Sequence, residues 1–193
     1  RRTAGDDDAL AALEECRLAV ERLVLPEGRP VELLPRSEAV RQMHARLEIV
    51  SGERIRDEFD KLITLEHPST GLWFLVDTGL AEHFFPELPA MRLEQDPIHR
   101  HKDVLTHTFA VVENVRPDAS PDFDFRITRL AALFHDIGKP RTRGYKDGKG
   151  VTFHHHEVVG ARMTRERMLT LRYSNEDVEE VTRLVELHLR FHT

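Results

Sequence analysis

The segment Phe134-His135-Asp136-Ile137-Gly138-Lys139-Pro140 ends an apolar, helically periodic stretch on a His-Asp doublet. An imidazole followed directly by a carboxylate offers a metal ion one nitrogen and one oxygen ligand from neighbouring positions. His107 stands upstream of the doublet, and the run His154-His155-His156 and then His188 stand downstream. Each lies in or beside a segment of helical periodicity. A chain with this pattern is constrained to bring several helices to one point, and a metal held there would make it a candidate hydrolase.

The periodicity places these histidines on the apolar side of their helices. Over residues 102–115, Val104, His107, Val111 and Val115 fall near one face, so His107 is expected to point inward. Over 126–137, Leu130, Ala131 and Phe134 form a buried stripe that ends at His135-Asp136, and Gly138 releases the helix. Over 175–191, Val178, Val181, Val185 and His188 share a spacing. Gly160, four residues after His156, would let another backbone approach closely. A single histidine on an apolar face is more often a core residue with both nitrogens satisfied, and His44, His67, His83 and His192 are read so, or as exposed. Several buried imidazoles without a shared partner are costly to desolvate, and a metal removes that cost. His107, His135, Asp136, His156 and His188 are therefore the expected ligand set. His99 and His101, which flank Arg100, are expected to support the ligands or touch substrate.

The rest of the chain is also helical in pattern. Residues 8–24 read as a helix with Asp6-Asp7-Asp8 at its N-terminus, and Pro26 to Pro30 break it. Residues 37–50 and 51–65 read as two further helices, and Pro68-Ser69-Thr70-Gly71 introduces a short one over 72–77 that Gly79 closes. Residues 82–91, with Pro86 and Pro89, read as irregular, and 117–125 as a Pro/Asp-rich loop. A small hairpin is expected around 145–153, turning at Lys146-Asp147-Gly148-Lys149-Gly150. The fold class is all-α with that one hairpin. Its expected division is an N-terminal helix and linker over 1–30, a helical neck over 31–92, and a metal-binding helical domain over 93–193.

Composition narrows the function classes. No run of eighteen or more apolar residues suggests a membrane span, and a single cysteine, Cys16, suits a reducing, cytoplasmic setting. The net charge of −6 argues against indiscriminate nucleic-acid binding. The exception is local: Arg141, Arg143, Lys146 and Lys149, then Arg162, Arg165 and Arg167, form a basic stretch that could steer an RNA end or a nucleotide phosphate. Five ligands are generous for one ion, so the expectation is one divalent ion or two sharing Asp136. Imidazole-rich coordination suits manganese, iron, nickel, cobalt or zinc better than magnesium alone.

These motifs resemble the HD superfamily of metal-dependent phosphohydrolases. The nearer resemblance is to the neck and HD domain of bacterial CCA-adding tRNA nucleotidyltransferases and their poly(A)-polymerase relatives. It is carried by Ile98-His99-Arg100-His101-Lys102-Asp103-Val104 with Thr106-His107-Thr108, by Ala131 to Pro140, by Phe153 to Ala161, and by Leu187-His188-Leu189-Arg190-Phe191-His192. Glu53-Arg54-Ile55-Arg56 and Phe85-Pro86-Glu87 are similar to the neck. The resemblance covers residues 38–193 and implies one divalent ion on His107 and His135 and another on His156 and His188. It also implies hydrolysis of phosphate esters on nucleotides or a tRNA 3′ end, with Asp136 and Lys139 catalytic and Lys139, Arg141 and Arg143 binding substrate. Two departures matter. The carboxylate pair of the nucleotide-adding head has no counterpart except Asp122-Phe123-Asp124 in a Pro-rich loop, so nucleotide addition is not expected of this chain alone. The family's closing Asp lies beyond the His188 segment, whereas this sequence stops at Thr193, so a fragment is expected. A second class of answer is a non-catalytic RNA- or partner-binding module with a structural metal.

Overall fold

The computed structural model describes residues 40–41, 44–93, 103–120, 123–148 and 150–191. The expected helix over 8–24, the linker after it, His99, His101 and His192 lie outside the described residues. The chain divides after Pro86 into two compact units.

In the first unit a 3-10 helix, His44–Ile49, is followed by α1 (Gly52–Ile63), α2 (Ser69–Asp77) and α3 (Leu80–Phe84). Ile55, Phe59 and Leu62 recur along one face of α1 and are buried. Phe59 meets Phe84 and Phe85 edge-on, with ring centroids 5.7 and 6.1 Å away. Gly79 takes the left-handed conformation (φ 82°) that lets α2 end and α3 begin. His44 and His83 satisfy each other, Nδ1 to Nε2 at 2.5 Å.

Two expectations are corrected here. The described end of the 37–50 segment is 3-10 rather than α-helical. Residues 82–91 are not irregular, because α3 and then α4 (Glu87–Ala90) occupy most of them. Pro86 sits just before α4 and Pro89 in its first turn, where no intrahelical N–H is required.

The second unit begins with α4 and continues through α5 (Val104–Asn114), α6 (Phe125–Phe134) and α7 (Lys139–Thr142). Strands β1 (Arg143–Lys146) and β2 (Gly150–Phe153) follow, then α8 (His156–Thr170), α9 (Asn175–Leu187) and a 3-10 turn over His188–Phe191. Three helices start on side-chain caps: Asp103 accepts from Thr106 N, Asp124 from Ile127 N and Ser174 from Asp177 N. Asp124, expected to be a solvated loop carboxylate, is thus committed to a helix N-terminus. The core is built by Leu105, Phe109 and Val112 of α5, Ile127, Leu130, Leu133 and Phe134 of α6, Met163 and Met168 of α8, and Val178, Val181 and Val185 of α9. Arg126 grips Asp177 with two hydrogen bonds of 2.7 and 3.2 Å, tying α6 to the first turn of α9. Arg167 of α8 does the same to Glu87 of α4 at 2.9 and 3.0 Å. The hairpin is antiparallel, with Arg143 opposite Phe153 and Tyr145 opposite Val151, and Gly148 at φ 76° makes its turn. Among the described residues no helix is long and apolar enough to cross a membrane.

Candidate metal centre

Asp136 sits in the turn joining α6 to α7 and is 1 % exposed. The helix that delivers it stops at Phe134, three residues earlier than the periodicity suggests, and the chain continues in tight turns, with Ile137 N donating to Phe134 O and Lys139 N to Asp136 O. Gly138 does not leave the helix through a left-handed conformation, as expected. Its φ is −77°, and it starts α7. The requirement for glycine is a close approach instead. A Cβ on Gly138 would meet the backbone carbonyl of His156 and lie 2.7 Å from Gly160 N. Gly160 reciprocates, its own Cβ position lying 3.4 Å from Gly138 N. Two glycines therefore let the His-Asp turn touch the first turn of α8, and this contact sets His156 beside Asp136.

Three imidazoles are held by the same local device. Nδ1 of His135 donates to the Ala132 carbonyl at 2.7 Å, that of His156 to Phe153 at 2.8 Å and that of His188 to Val185 at 2.6 Å. A carbonyl can only accept, so each Nδ1 carries a proton, and in the neutral ring Nε2 is left as a bare lone pair. All three Nε2 atoms face the Asp136 carboxylate. His135 lies 3.1 Å from Oδ2, and His156 and His188 lie 3.4 and 3.9 Å from Oδ1. His107 contributes Nε2 at 3.9 Å from Oδ2. Two triads result, His107–His135–Asp136 and Asp136–His156–His188, each with donor atoms within 4.8 Å of one another.

Lone pairs converging in this way repel unless a cation or extra protons lie between them. The Nε2 atoms of His156 and His188 are 3.2 Å apart, the spacing of two nitrogens that each lie about 2.1 Å from one ion. Imidazoles oriented by carbonyls around a shared carboxylate also match the donor preferences of first-row divalent metals. The residues fit such an ion.

Burial alone would raise the pKa of Asp136. In the absence of a metal, protons on Nε2 can stand between the groups: hydrogen bonds from His135 and His156 in their doubly protonated form, with the charges of His135 and Lys139, overturn that and hold the carboxyl well below the usual carboxylate range. Burial lowers the pKa of His188, the hydrogen bond to Val185 opposes this, and the charges of His135 and His156 add to the lowering. A ring biased towards neutrality is ready to ligate. Lys139 Nζ lies 2.7 Å from Asp136 Oδ2 and 5.6 Å from the Phe153 ring centroid.

The structure brings His107, His135, Asp136, Lys139, His156 and His188 together, but not as periodicity suggests for His107. Its side chain is 50 % exposed, and the buried face of α5 is Leu105, Thr108, Phe109 and Val112. Arg141 and Arg143 stand exposed on α7 and β1, outside the cluster. Nothing in the sequence marks the carbonyls of Ala132, Phe153 and Val185 that aim the rings, beyond their lying three residues before a histidine.

Residues 37–91 match the family described as the probable RNA and SrmB binding site of polymerase A, and residues 104–193 match the HD domain. The CC-adding tRNA nucleotidyltransferase of Thermus thermophilus is 33 % identical over 187 residues, which is 94 % of this chain and 42 % of that protein. The A-adding tRNA nucleotidyltransferase of Deinococcus radiodurans is 34 % identical over 168 residues, 81 % of this chain and 37 % of that protein. The multifunctional CCA protein of Pasteurella multocida is 31 % identical over 121 residues, 60 % of this chain and 28 % of that protein. The chain spans less than half the length of each.

Proposed function

Because this chain belongs to the HD superfamily and resembles the neck and HD domain of tRNA nucleotidyltransferases, we propose that it hydrolyses phosphate esters on nucleotides or RNA 3′ ends with divalent metal. In this reading residues 31–92 are the neck and 93–193 the catalytic domain. The observation that carries the proposal is the pair of histidine triads sharing one buried carboxylate. Bound divalent ions would supply positive charge to phosphate oxygens and an activated water as nucleophile. The protein's own work is to keep the donors fixed. His135, His156 and His188 cannot swing away without breaking their carbonyl bonds, and Asp136 offers one oxygen to each triad. Lys139 neutralises Oδ2 from the more exposed side and is placed to meet a phosphate there. Arg141 and Arg143 extend that positive charge outward from the site.

The match of residues 37–91 to an RNA-binding segment supports an RNA partner, and tRNA is the partner the relatives' names suggest. It equally favours the reading of an RNA-binding module with a structural metal. Nucleotide addition by this chain is not proposed, since Asp124 already caps α6. The test is metal content by mass spectrometry together with hydrolysis of 2′,3′-cyclic nucleotides and phosphomonoesters in manganese or nickel, for wild type and Asp136→Ala. Full activity in the variant removes the hydrolase reading. Stoichiometric metal with no turnover of any substrate moves the conclusion to the RNA-binding module.

A further inference from the structure

We propose that Tyr145, with Arg143 beside it, is a stacking platform for a nucleobase of the substrate, which would make nucleosides and RNA ends preferred over simple phosphate esters. The substrate class rests on the phosphoesterase reading above, whereas the platform itself rests on the hairpin.

In the β1–β2 register, Arg143 faces Phe153 and Tyr145 faces Val151. Directly opposed residues, and residues two apart on one strand, project from the same face of a sheet. Arg143, Tyr145, Val151 and Phe153 therefore share one face. Phe153 anchors that face to the metal centre in two ways. Its carbonyl receives His156 Nδ1 at 2.8 Å, and its ring centroid lies 5.6 Å from Lys139 Nζ. The next row, Tyr145 with Val151, lies two residues along the strand, about 7 Å further out. That is within reach of a nucleotide whose phosphate sits by Lys139.

Tyr145 is 68 % exposed, more than any other exposed large hydrophobic side chain among the described residues. Scattered exposed aromatics are ordinary, but this one shares its face of the hairpin with Arg143, and Arg141 precedes it on the same short connection, both exposed. An aromatic ring beside guanidinium groups suits a base and its phosphates, and disfavours an apolar protein surface. Stacking also tolerates any base, because every base has a π-face, so the platform selects for a nucleoside rather than for a sequence.

The test uses the full chain with Tyr145→Ala, Tyr145→Phe and Tyr145→Trp. Two substrates are compared, 2′,3′-cyclic AMP and its base-free counterpart glycerol 1,2-cyclic phosphate. Tyr145→Ala should raise KM for cyclic AMP by about 5-fold to 160-fold, the range that base–aromatic stacking is worth, with much less effect on kcat. The preference for cyclic AMP over the base-free ester should fall by the same factor, and Tyr145→Phe should restore it. An unchanged preference in Tyr145→Ala overturns the platform. A readout independent of hydrolysis is the fluorescence of metal-free Tyr145→Trp, titrated with AMP and with a short oligoadenylate and corrected for Trp73 using wild type. Quenching specific to the new tryptophan supports the platform even if no substrate is turned over. No quenching overturns it, whatever the protein hydrolyses.

Discussion

Replacing Gly138 by alanine asks whether one backbone contact assembles the metal centre. The residue's φ of −77° and ψ of −17° suit alanine, so no conformational penalty attaches to the change. Reduced freedom of the unfolded chain would by itself stabilise the variant by about 0.4–1 kcal/mol. The steric term runs the other way. The added methyl would meet His156 O and lie 2.7 Å from Gly160 N and 3.1 Å from Gly160 Cα, all backbone atoms that no rotamer change can move aside. Relief requires the turn and the start of α8 to part by about 1 Å, and overpacking of this kind costs about 1–3 kcal/mol. Set against the gain, the net expectation is a loss of up to about 2.5 kcal/mol. The functional effect should be larger, because the parting separates Asp136 from His156, now 3.4 Å apart. Ligand distances are tolerated only within about 0.2 Å, and disturbed support of metal ligands lowers affinity by about 10-fold to 100-fold. Gly160→Ala is the internal control, since its methyl would find contacts at 3.4, 3.4 and 3.6 Å. Its cost should be offset by the gain of alanine over glycine inside a helix, about 0.8–1 kcal/mol. Urea unfolding of the metal-free proteins and competitive zinc or manganese titration give both quantities. The reasoning is refuted if Gly138→Ala matches wild type in unfolding midpoint and in metal affinity.

His107→Ala should reduce the bound-ion count without shifting the urea midpoint by more than about 0.5 kcal/mol, because the side chain is half exposed; equal metal content would remove His107 from the ligand set. Metal affinity should fall as pH decreases into the acid range, because protons compete for the ligand nitrogens. Metal-free stability should fall as pH drops below about 6.5, the unfolded value for histidine. The folded pKa of His188 is lowered, so the unfolded state takes up that proton first and stability is lost as pH decreases. Asp136, also lowered, adds stability that is present above about 4 and lost below it; circular dichroism against pH checks both signs. Asp177→Ala removes the two bonds from Arg126, and the side chains are 29 % and 22 % exposed. It should cost about 1–2 kcal/mol while metal affinity stays within twofold.

How far the sequence could be read depends on where each residue lies in its helix. Periodicity identifies the buried faces of α6 and α9, because Leu130, Val178, Val181 and Val185 sit in helix interiors and Phe134 continues the stripe to the last residue of α6. It chooses the wrong face of α5. Val104, His107 and Val111 have a helical spacing, but so do Leu105, Phe109 and Val112, and the larger side chains take the core. The ligands other than His107 are end residues. His135 and His188 cap the C-termini of α6 and α9, and His156 is the first residue of α8. Periodicity says little at such positions, since the chain is leaving or entering the helix. What turns these rings inward is a bond from Nδ1 to a carbonyl three residues back, invisible in composition or spacing. Gly160 was legible as a close-approach residue, but its partner was not: Gly138 has the ordinary signature of a helix-terminating glycine and serves instead as the other half of the contact.

Placing a metal centre at helix ends has a consequence for access. Side-chain exposure falls from 50 % at His107 through 22 % at Lys139 and 14 % at His135 and His188 to 9 % at His156 and 2 % at Asp136. The two triads are therefore not equivalent, although they share a carboxylate. The one containing His156 and His188 is enclosed by the first turn of α8 and the end of α9. The one containing His107 carries the half-exposed ring, and Lys139 pairs with the same Asp136 oxygen, Oδ2. If the hydrolase proposal holds, a phosphate would be expected to meet the more exposed Lys139 and His107 ahead of the more buried His156. Lys139 also tops Phe153, at the end of the β1–β2 hairpin. Arg141 and Arg143 are exposed on α7 and β1, which follow Lys139 directly in the chain, so under the hydrolase proposal their positive charge would favour phosphate at the more exposed triad rather than at the inner one.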